Sequence, residues 1–483
     1  MIKLYQKINL KNVLIWGAIF HLLAAIMTEG YHRPDEHLGL MRFMSMKLGL
    51  YPASGLSWEF PAMIRPWLQP GIMVLISKFY LSLGFKNPFY WATLLRLISS
   101  GLGLYASYQL ACESKKELKE ISYKMALPLF FLLWYFPFFH ARPSAENWGM
   151  VFFIFGLVPW LIKPKSSKLL IGLLFGASFI VRFQMAFAIA PLWFWFAIIH
   201  KESAKNLALV AAGIVLAIII NIPLDYWGYG VWTFSAWNYF DHNILRGAAS
   251  GFGVMPWYYY ITKIFAKGIP PLSLIFIVPT LWCWIKRPKH WVTWVTLPFF
   301  VLHSAVGHKE LRFLFGMGML TPLMLGLMLD DLKLKWSRPL AAFSVLLVVI
   351  NVAALLASSL RPAFTPIDMY KVLYHHPNPP KAMITFGEFR DQLPFYLQAP
   401  IEQIQVEDDE TRDLEALAQR LPNPQSSWFL TDKLKDIEIL SQNSACSVAY
   451  LGYPNWVFNL KRYDLIYKLL EKSKTWALYQ CAL

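Results

Sequence analysis

Three short polar stretches interrupt an otherwise apolar chain, and each carries residue types that can do chemistry. "YHRPDEHLGL" (31–40) sets Asp35 beside Glu36, behind a proline and among His32, Arg33 and His37. A carboxylate beside cations stays ionised and can take a proton, which suits a general base. The same residues also read as a salt-bridge cluster closing a helix end at Pro34. "SWEFPAMIRPWLQP" (57–70) adds Glu59 and Arg65, with Trp58 and Trp67 fitting an interfacial aromatic belt. "HKELRF" (308–313) places His308, Lys309, Glu310 and Arg312 between two apolar runs. Two cations and an imidazole at a membrane face suit a phosphate, either that of a lipid-linked sugar donor or an anionic headgroup. Arg182 is a further cation at the end of its run, and Arg142, Ser144, Glu146 and Asn147 form another polar group. The 224–260 stretch is rich in Trp, Tyr, Asn and Gly. Its flat rings and amides, Asn238, Asn243 and Trp257 among them, suit a sugar.

The elements that must position these residues follow from composition. The chain has 483 residues, 57% hydrophobic and only 15% charged, too little polar surface for a soluble domain. Its net charge of +16 lies in short basic clusters between apolar runs, the pattern of cytoplasmic anchors, so nucleic acid is excluded as a partner. Apolar runs occupy 13–28, 89–111, 123–140, 147–162, 168–182, 184–199, 206–223, 268–285, 290–306, 311–329 and 339–359. The first, preceded by Lys3, Lys7 and Lys11 without a small-residue cleavage site, reads as an uncleaved anchor. Topology turns on 67–85. With that segment as an interfacial helix in the first outer loop, eleven spans remain and 18 of the 32 basic residues before position 361 fall in inner loops. Residues 29–88, 141–147, 224–267, 306–311 and the tail then share the outer face, periplasmic or lumenal.

The tail is compositionally distinct. Residues 361–483 hold 15 of the 29 acids, which divides the chain into a membrane domain, 1–360, and a soluble domain, 361–483. Short β-rich runs at 382–387, 427–431, 446–451 and 475–480 alternate with helical patterns such as "RDLEALAQRL", which predicts a small α/β domain. Its two cysteines, Cys446 and Cys481, would sit in an oxidising compartment, where a bridge and two free buried thiols are both open readings. No metal-ligand cluster stands out, since one Asp-Glu pair is not a divalent site.

The motifs together resemble those of the GPI mannosyltransferases and their relatives that build the dolichol-linked oligosaccharide, glycosyltransferase family twenty-two of the GT-C fold. "PDE" at 34–36, "SWEF" with "IRPWLQP" at 57–70, "HKELRF" at 308–313, Asn238 and Asn243, and "FGVMPWYYY" at 252–260 follow the family's order. Departures are Arg33 for a histidine, Arg42 for an acid, Pro66 for a serine, and Met255 and Tyr258 for histidines. The resemblance implies a GT-C-like membrane domain. It also implies inverting transfer from a polyprenyl-phosphate sugar, most simply mannose, to a lipid-linked or glycan acceptor. Cofactors and an essential metal are not expected. It gives Asp35 the part of general base with Glu36 behind it, and His308, Lys309, Arg312 and Arg182 the donor phosphate. Glu59, Arg65, Glu146, Asn238, Asn243, Trp257 and Glu310 become orienting or substrate-binding residues. The departures suggest a divergent, prokaryotic member of a bacterial inner membrane, an endoplasmic-reticulum member being the alternative. A rival from another class, a transporter or flippase of a lipid-linked glycan, would show paired broken helices or internal symmetry, and the sequence shows neither.

Overall fold

The computed structural model describes residues 8–162, 165–332, 337–386, 393–397, 401–407, 410–423, 426–460, 463–472 and 475–483. Lys3, Lys7, Lys163, Lys333 and Lys335 of the inner-loop count lie outside them. The chain divides into two compact units. One comprises the residues up to Glu29 with Asp35–Arg361, and the other comprises Gly30–Pro34 with Pro362–Leu483.

The first unit is helical. Among the described residues, five helical segments are long and apolar enough to cross a membrane: Leu10–Met27, Ala145–Ile162, Ala204–Tyr229, Leu311–Leu332 and Arg338–Ser359. Shorter apolar helices cover Lys168–Val181, Phe183–Ile198, Leu274–Lys286 and Trp291–Ala305. Helix starts are encoded locally. The side chains of Asn9, Ser203 and Ser337 accept backbone N–H bonds at their helix ends, and Asn87 does so ahead of Pro88 in the helix Pro88–Glu117. Glycines set the closest packing. Gly172 and Gly213 face each other between Lys168–Val181 and Ala204–Tyr229, where a side-chain carbon on Gly172 would lie 2.8 Å from the Gly213 Cα. Small residues let the two backbones approach closely enough for dispersion contacts along both helices.

The expected span at 184–199 opens with a 3₁₀ turn, Phe183–Met185, and two others depart further from single α-helices. The run at 123–140 breaks into Glu120–Ala126, Leu129–Leu132 and Phe136–His140. Pro128 cannot continue the first turn, and Pro137 starts the last. Phe130, Phe131, Leu133 and Phe136 are nonetheless buried among the core helices. Irregular backbone at membrane depth is tolerated where protein surrounds it. The run at 311–329 opens as two 3₁₀ segments, Leu311–Leu314 and Gly316–Leu320, before Thr321–Leu332 becomes α-helical. Segment 67–85 folds as Leu68–Ser82, a helix of 15 residues. At roughly 1.5 Å per residue that is about 22 Å, short of a hydrocarbon core of about 30 Å.

The second unit carries a five-stranded sheet of order β2-β1-β3-β5-β4, with β1 Ala382–Phe386, β2 Glu402–Val406, β3 Ser427–Thr431, β4 Cys446–Leu451 and β5 Ala477–Cys481. β1 pairs in parallel with β2 and β3, whereas β5 runs antiparallel to β3 and β4. Cys446 faces Cys481 across the β4–β5 register, and the two are disulfide-bonded. β2 is the strand the sequence reading missed. It lies at the sheet edge, its first four residues are exposed or half-buried, and "EQIQV" lacks a continuous apolar run.

Candidate active site

Asp35 stands at the N-terminus of a π-helical turn, Glu36–Met41, which runs on into the α-helix Arg42–Lys47. Such turns carry one extra residue and recur at functional sites. The two neighbouring acids part company here. The Glu36 side chain is buried, with Oε2 3.9 Å from Arg142 Nη1. Arg142 in turn donates to the carbonyl and hydroxyl of Thr28, at the end of Leu10–Met27. Asp35 turns the other way, and its side chain is 47% exposed.

What Asp35 meets is Arg312. Arg312 Nη2 donates to Asp35 Oδ2 at 2.6 Å, while Nε and Nη2 grip Glu310 at 2.9 and 3.0 Å. Arg312 Nη1 also lies 3.5 Å from Glu146 Oε1, and the same oxygen lies 3.2 Å from Arg182 Nη1. The Glu146 side chain is only 6% exposed and sits in the first turn of Ala145–Ile162, where the helix dipole favours an anion. Arg182 and Arg312 both approach the Phe313 ring, at 4.8 and 5.5 Å. Partial burial alone would raise the Asp35 carboxyl above its ordinary value. The charges of Arg312, Arg65 and Arg182, with the Arg312 hydrogen bond, outweigh burial and hold it lower.

Arg65 belongs to a second clamp. Its Nε and Nη2 donate to the two Glu59 oxygens at 2.9 and 2.8 Å, a bidentate pair. The Arg65 backbone exchanges hydrogen bonds with the Tyr229 hydroxyl, receiving one at 2.7 Å and donating one at 3.2 Å. The guanidinium lies against Gly39 in the π-helical turn. Asp225 fixes the same loop, accepting from the Trp67 N–H at 3.0 Å and from Ser235 through its N–H and hydroxyl at 3.2 and 2.6 Å. Asn238 donates to the Met63 carbonyl at 3.1 Å, so it too ties 235–240 to the 57–67 loop.

The structure therefore gathers Asp35, Glu146, Arg182, His308, Glu310 and Arg312, with Glu59 and Arg65 adjoining. His308 reaches Glu310 at 3.4 Å and the Gly253 carbonyl at 3.2 Å. Lys309 has a different position from its neighbours. Its ammonium donates to the carbonyls of Val306, Met255 and Gly307 at 2.5, 2.8 and 3.4 Å, and the residue is buried. These three bonds engage all three donors of an ammonium. Asn243 bonds within its own turn to the Tyr239 carbonyl, and Trp257 is 68% exposed. Sequence reasoning did not single out Gly39, Tyr229 or Phe313. Only Gly39 left a signal, as a small residue one turn after Glu36.

A helical, membrane-type unit with carboxylates and guanidinia drawn together at the ends of its helices defines a class, and solved structures share its fold. ArnT from Cupriavidus metallidurans, solved bound to undecaprenyl phosphate, superposes with a TM-score of 0.56 at 13% identity, covering 98% of this chain and 97% of that one. Residues 13–387 match the Alg9-like mannosyltransferase family, and the chain belongs to that family. GPI mannosyltransferase 3 of Candida albicans is 26% identical over 309 residues, 62% of this chain and 59% of that protein. GPI alpha-1,2-mannosyltransferase 3 of Xenopus laevis is 24% identical over 347 residues, 68% of this chain and 61% of that protein. The chain thus spans about three fifths of the length of these relatives.

Proposed function

We propose that this protein transfers a sugar, mannose by family, from a polyprenyl-phosphate donor to a lipid-linked or glycan acceptor at the outer face of a membrane, with inversion and with Asp35 as general base. The observation that carries the reading is the Asp35–Arg312 pair. Among the carboxylates of the cluster, Asp35 is the exposed one, at 47% against 24% for Glu310 and 6% for Glu146, so an incoming hydroxyl can reach it. Glu36, buried against Arg142, is better suited to holding the turn.

The step balances as follows. The acceptor oxygen attacks the anomeric carbon, its proton passes to Asp35, and the bond from that carbon to the phosphate oxygen breaks with its electron pair going to the phosphate. Once protonated, Asp35 loses its hold on the Arg312 N–H. That donor becomes available to the departing phosphate as the phosphate gains charge, which is electrostatic stabilisation timed to the transition state. Arg182, which approaches the same Phe313 ring and shares the Glu146 oxygen with Arg312, is the second cation for the phosphate. Lys309 supports them by closing the loop. We place the outer face in the periplasm of a bacterium. The Cys446–Cys481 bond supports an oxidising compartment, and the basic inner loops support the orientation.

The test uses purified protein in liposomes with radiolabelled polyprenyl-phosphate mannose and a membrane-lipid extract as acceptor. Wild type should form product, and Asp35→Asn should express normally yet turn over about 10²–10⁴-fold more slowly. Transbilayer movement of glycolipid without product would instead support a flippase and end this reading.

A further inference from the structure

Beyond the ion cluster, four rings from three separate stretches line up at the surface. Trp58 stacks on His242 with centroids 5.1 Å apart, and its other neighbour is Phe252 at 5.8 Å. Phe252 lies 5.8 Å from His308. The file remains open to its surroundings, with Trp58 43% and Phe252 59% exposed. It also ends at the reacting groups: His308 contacts Glu310, Glu310 grips Arg312, and Arg312 holds Asp35. At the other flank, Trp58 directly precedes Glu59 of the Arg65 clamp.

We propose that His242, Trp58, Phe252 and His308 form a saccharide-binding subsite that delivers the acceptor glycan to Asp35. This rests on the transfer reading above and deepens it. A pyranose has one face of C–H groups and an equator of hydroxyls. The C–H face suits the negative face of an aromatic ring, and the hydroxyls need donors and acceptors at the ring margins. This file offers both. Imidazoles stand at both ends of the file, flanking the indole and phenyl rings, and the Asp241–Arg246 pair, at 2.6 Å, sits on the same turn as His242. A prenyl or acyl chain would gain nothing from imidazoles and a charged pair beside it, so the mixed character favours a saccharide over lipid. The support is built in. Gly253, at φ +97° in the left-handed region, follows Phe252 and turns its carbonyl onto His308 Nδ1 at 3.2 Å, which fixes the two rings' loops to each other.

The experiment measures binding rather than turnover, using the full chain purified in detergent and calorimetric titration with mannotriose and, separately, with undecaprenyl phosphate. Wild type should bind mannotriose. Trp58→Ala and the more exposed variant Phe252→Ala should each weaken that binding about tenfold, the scale of a lost aromatic anchor. Trp58→Phe should hold it near wild type, and undecaprenyl phosphate binding should be unchanged in all three. Asp35→Asn should bind mannotriose normally, so failure of the base assignment and failure of the subsite are read separately. The subsite is overturned if wild type does not bind mannotriose. It is equally overturned if Trp58→Ala and Phe252→Ala leave mannotriose affinity intact, or if they weaken undecaprenyl phosphate or liposome association instead, which would mark the rings as a lipid-facing belt.

Discussion

Arg312 reaches across 277 residues of sequence to place Nη2 2.6 Å from Asp35 Oδ2, and in the same geometry it meets Glu310 and Glu146. One guanidinium thus joins the π-helical turn after Asp35, the 306–311 connection and the start of Ala145–Ile162. Because the Arg312 side chain is only 12% exposed, water screens these interactions weakly, and Arg312 is the largest influence holding the Asp35 carboxyl low.

The pH profile should show that dependence. With its carboxyl held below the ordinary aspartate value, Asp35 is ionised as a base throughout the neutral and mildly acid range. Wild-type activity should therefore keep its plateau as pH falls towards about 4, the usual aspartate pKa. Arg312→Gln removes the largest lowering influence and leaves burial, which raises the value, opposed only by Arg65 and Arg182. Its acid limb should move to higher pH as well as its maximum falling. The stability linked to Asp35 has the same sign: it is present above the unfolded pKa and lost as pH falls through the lower folded one. An Arg312→Gln profile that drops uniformly, with an unmoved acid limb, would uncouple the two residues.

Glu146 should behave as a buried hub. Glu146→Ala leaves Arg182 and Arg312 facing each other without the shared oxygen, and removing one partner of a buried ion pair costs about 3–5 kcal/mol. Thermal melting in detergent should show a clear drop, larger than that for Glu310→Ala, whose side chain is 24% exposed.

Lys309 separates loop closure from phosphate binding. Lys309→Met strands carbonyls of Val306 and Met255 that the ammonium now satisfies, at about 1–3 kcal/mol for a buried group left unpaired. Arginine should not rescue it, because a planar fork cannot converge on three carbonyls as a point charge does. Melting should fall while the KM for the polyprenyl-phosphate donor holds; a rise in that KM with unchanged melting would return Lys309 to the phosphate.

How much of this was legible beforehand differs by element. Helical spans flanked by lysines announce themselves, because twenty apolar residues have few other destinations. The strands β1, β3, β4 and β5 were readable from their apolar runs for the same reason, while the edge strand β2, half-exposed and rich in Glu and Gln, carries no such mark. The 123–140 run folds as three short helices rather than one, and only its two prolines hinted at the breaks. Within the site, residue types named the candidate charges. Pairings did not follow: nothing local to "HKELRF" says that Arg312 turns to Asp35 while its neighbour Lys309 turns to carbonyls. Those choices are set by which helices end beside them, a property of the packed chain.

The final prediction concerns a residue with no chemistry of its own. A side-chain carbon on Gly39 would come 2.5 Å from Arg65 Cζ and 2.6 Å from its Nε and Nη2. A free guanidinium could step aside, but Glu59 holds this one by two bonds. Gly39→Ala should therefore shift the clamp beside Asp35, and a displacement near 1 Å at a catalytic group can cost about 10²-fold in rate. Stability should move little, since alanine is the better helix former by about 1 kcal/mol. Lost turnover in a protein that melts normally is not what a purely structural glycine would give. The decisive comparison is a double-mutant cycle: with Arg65→Ala already in place, adding Gly39→Ala should cost nothing further, because the atom it strikes is gone. If the two losses add in full, Gly39 acts through something other than Arg65, and the clamp does not position the base.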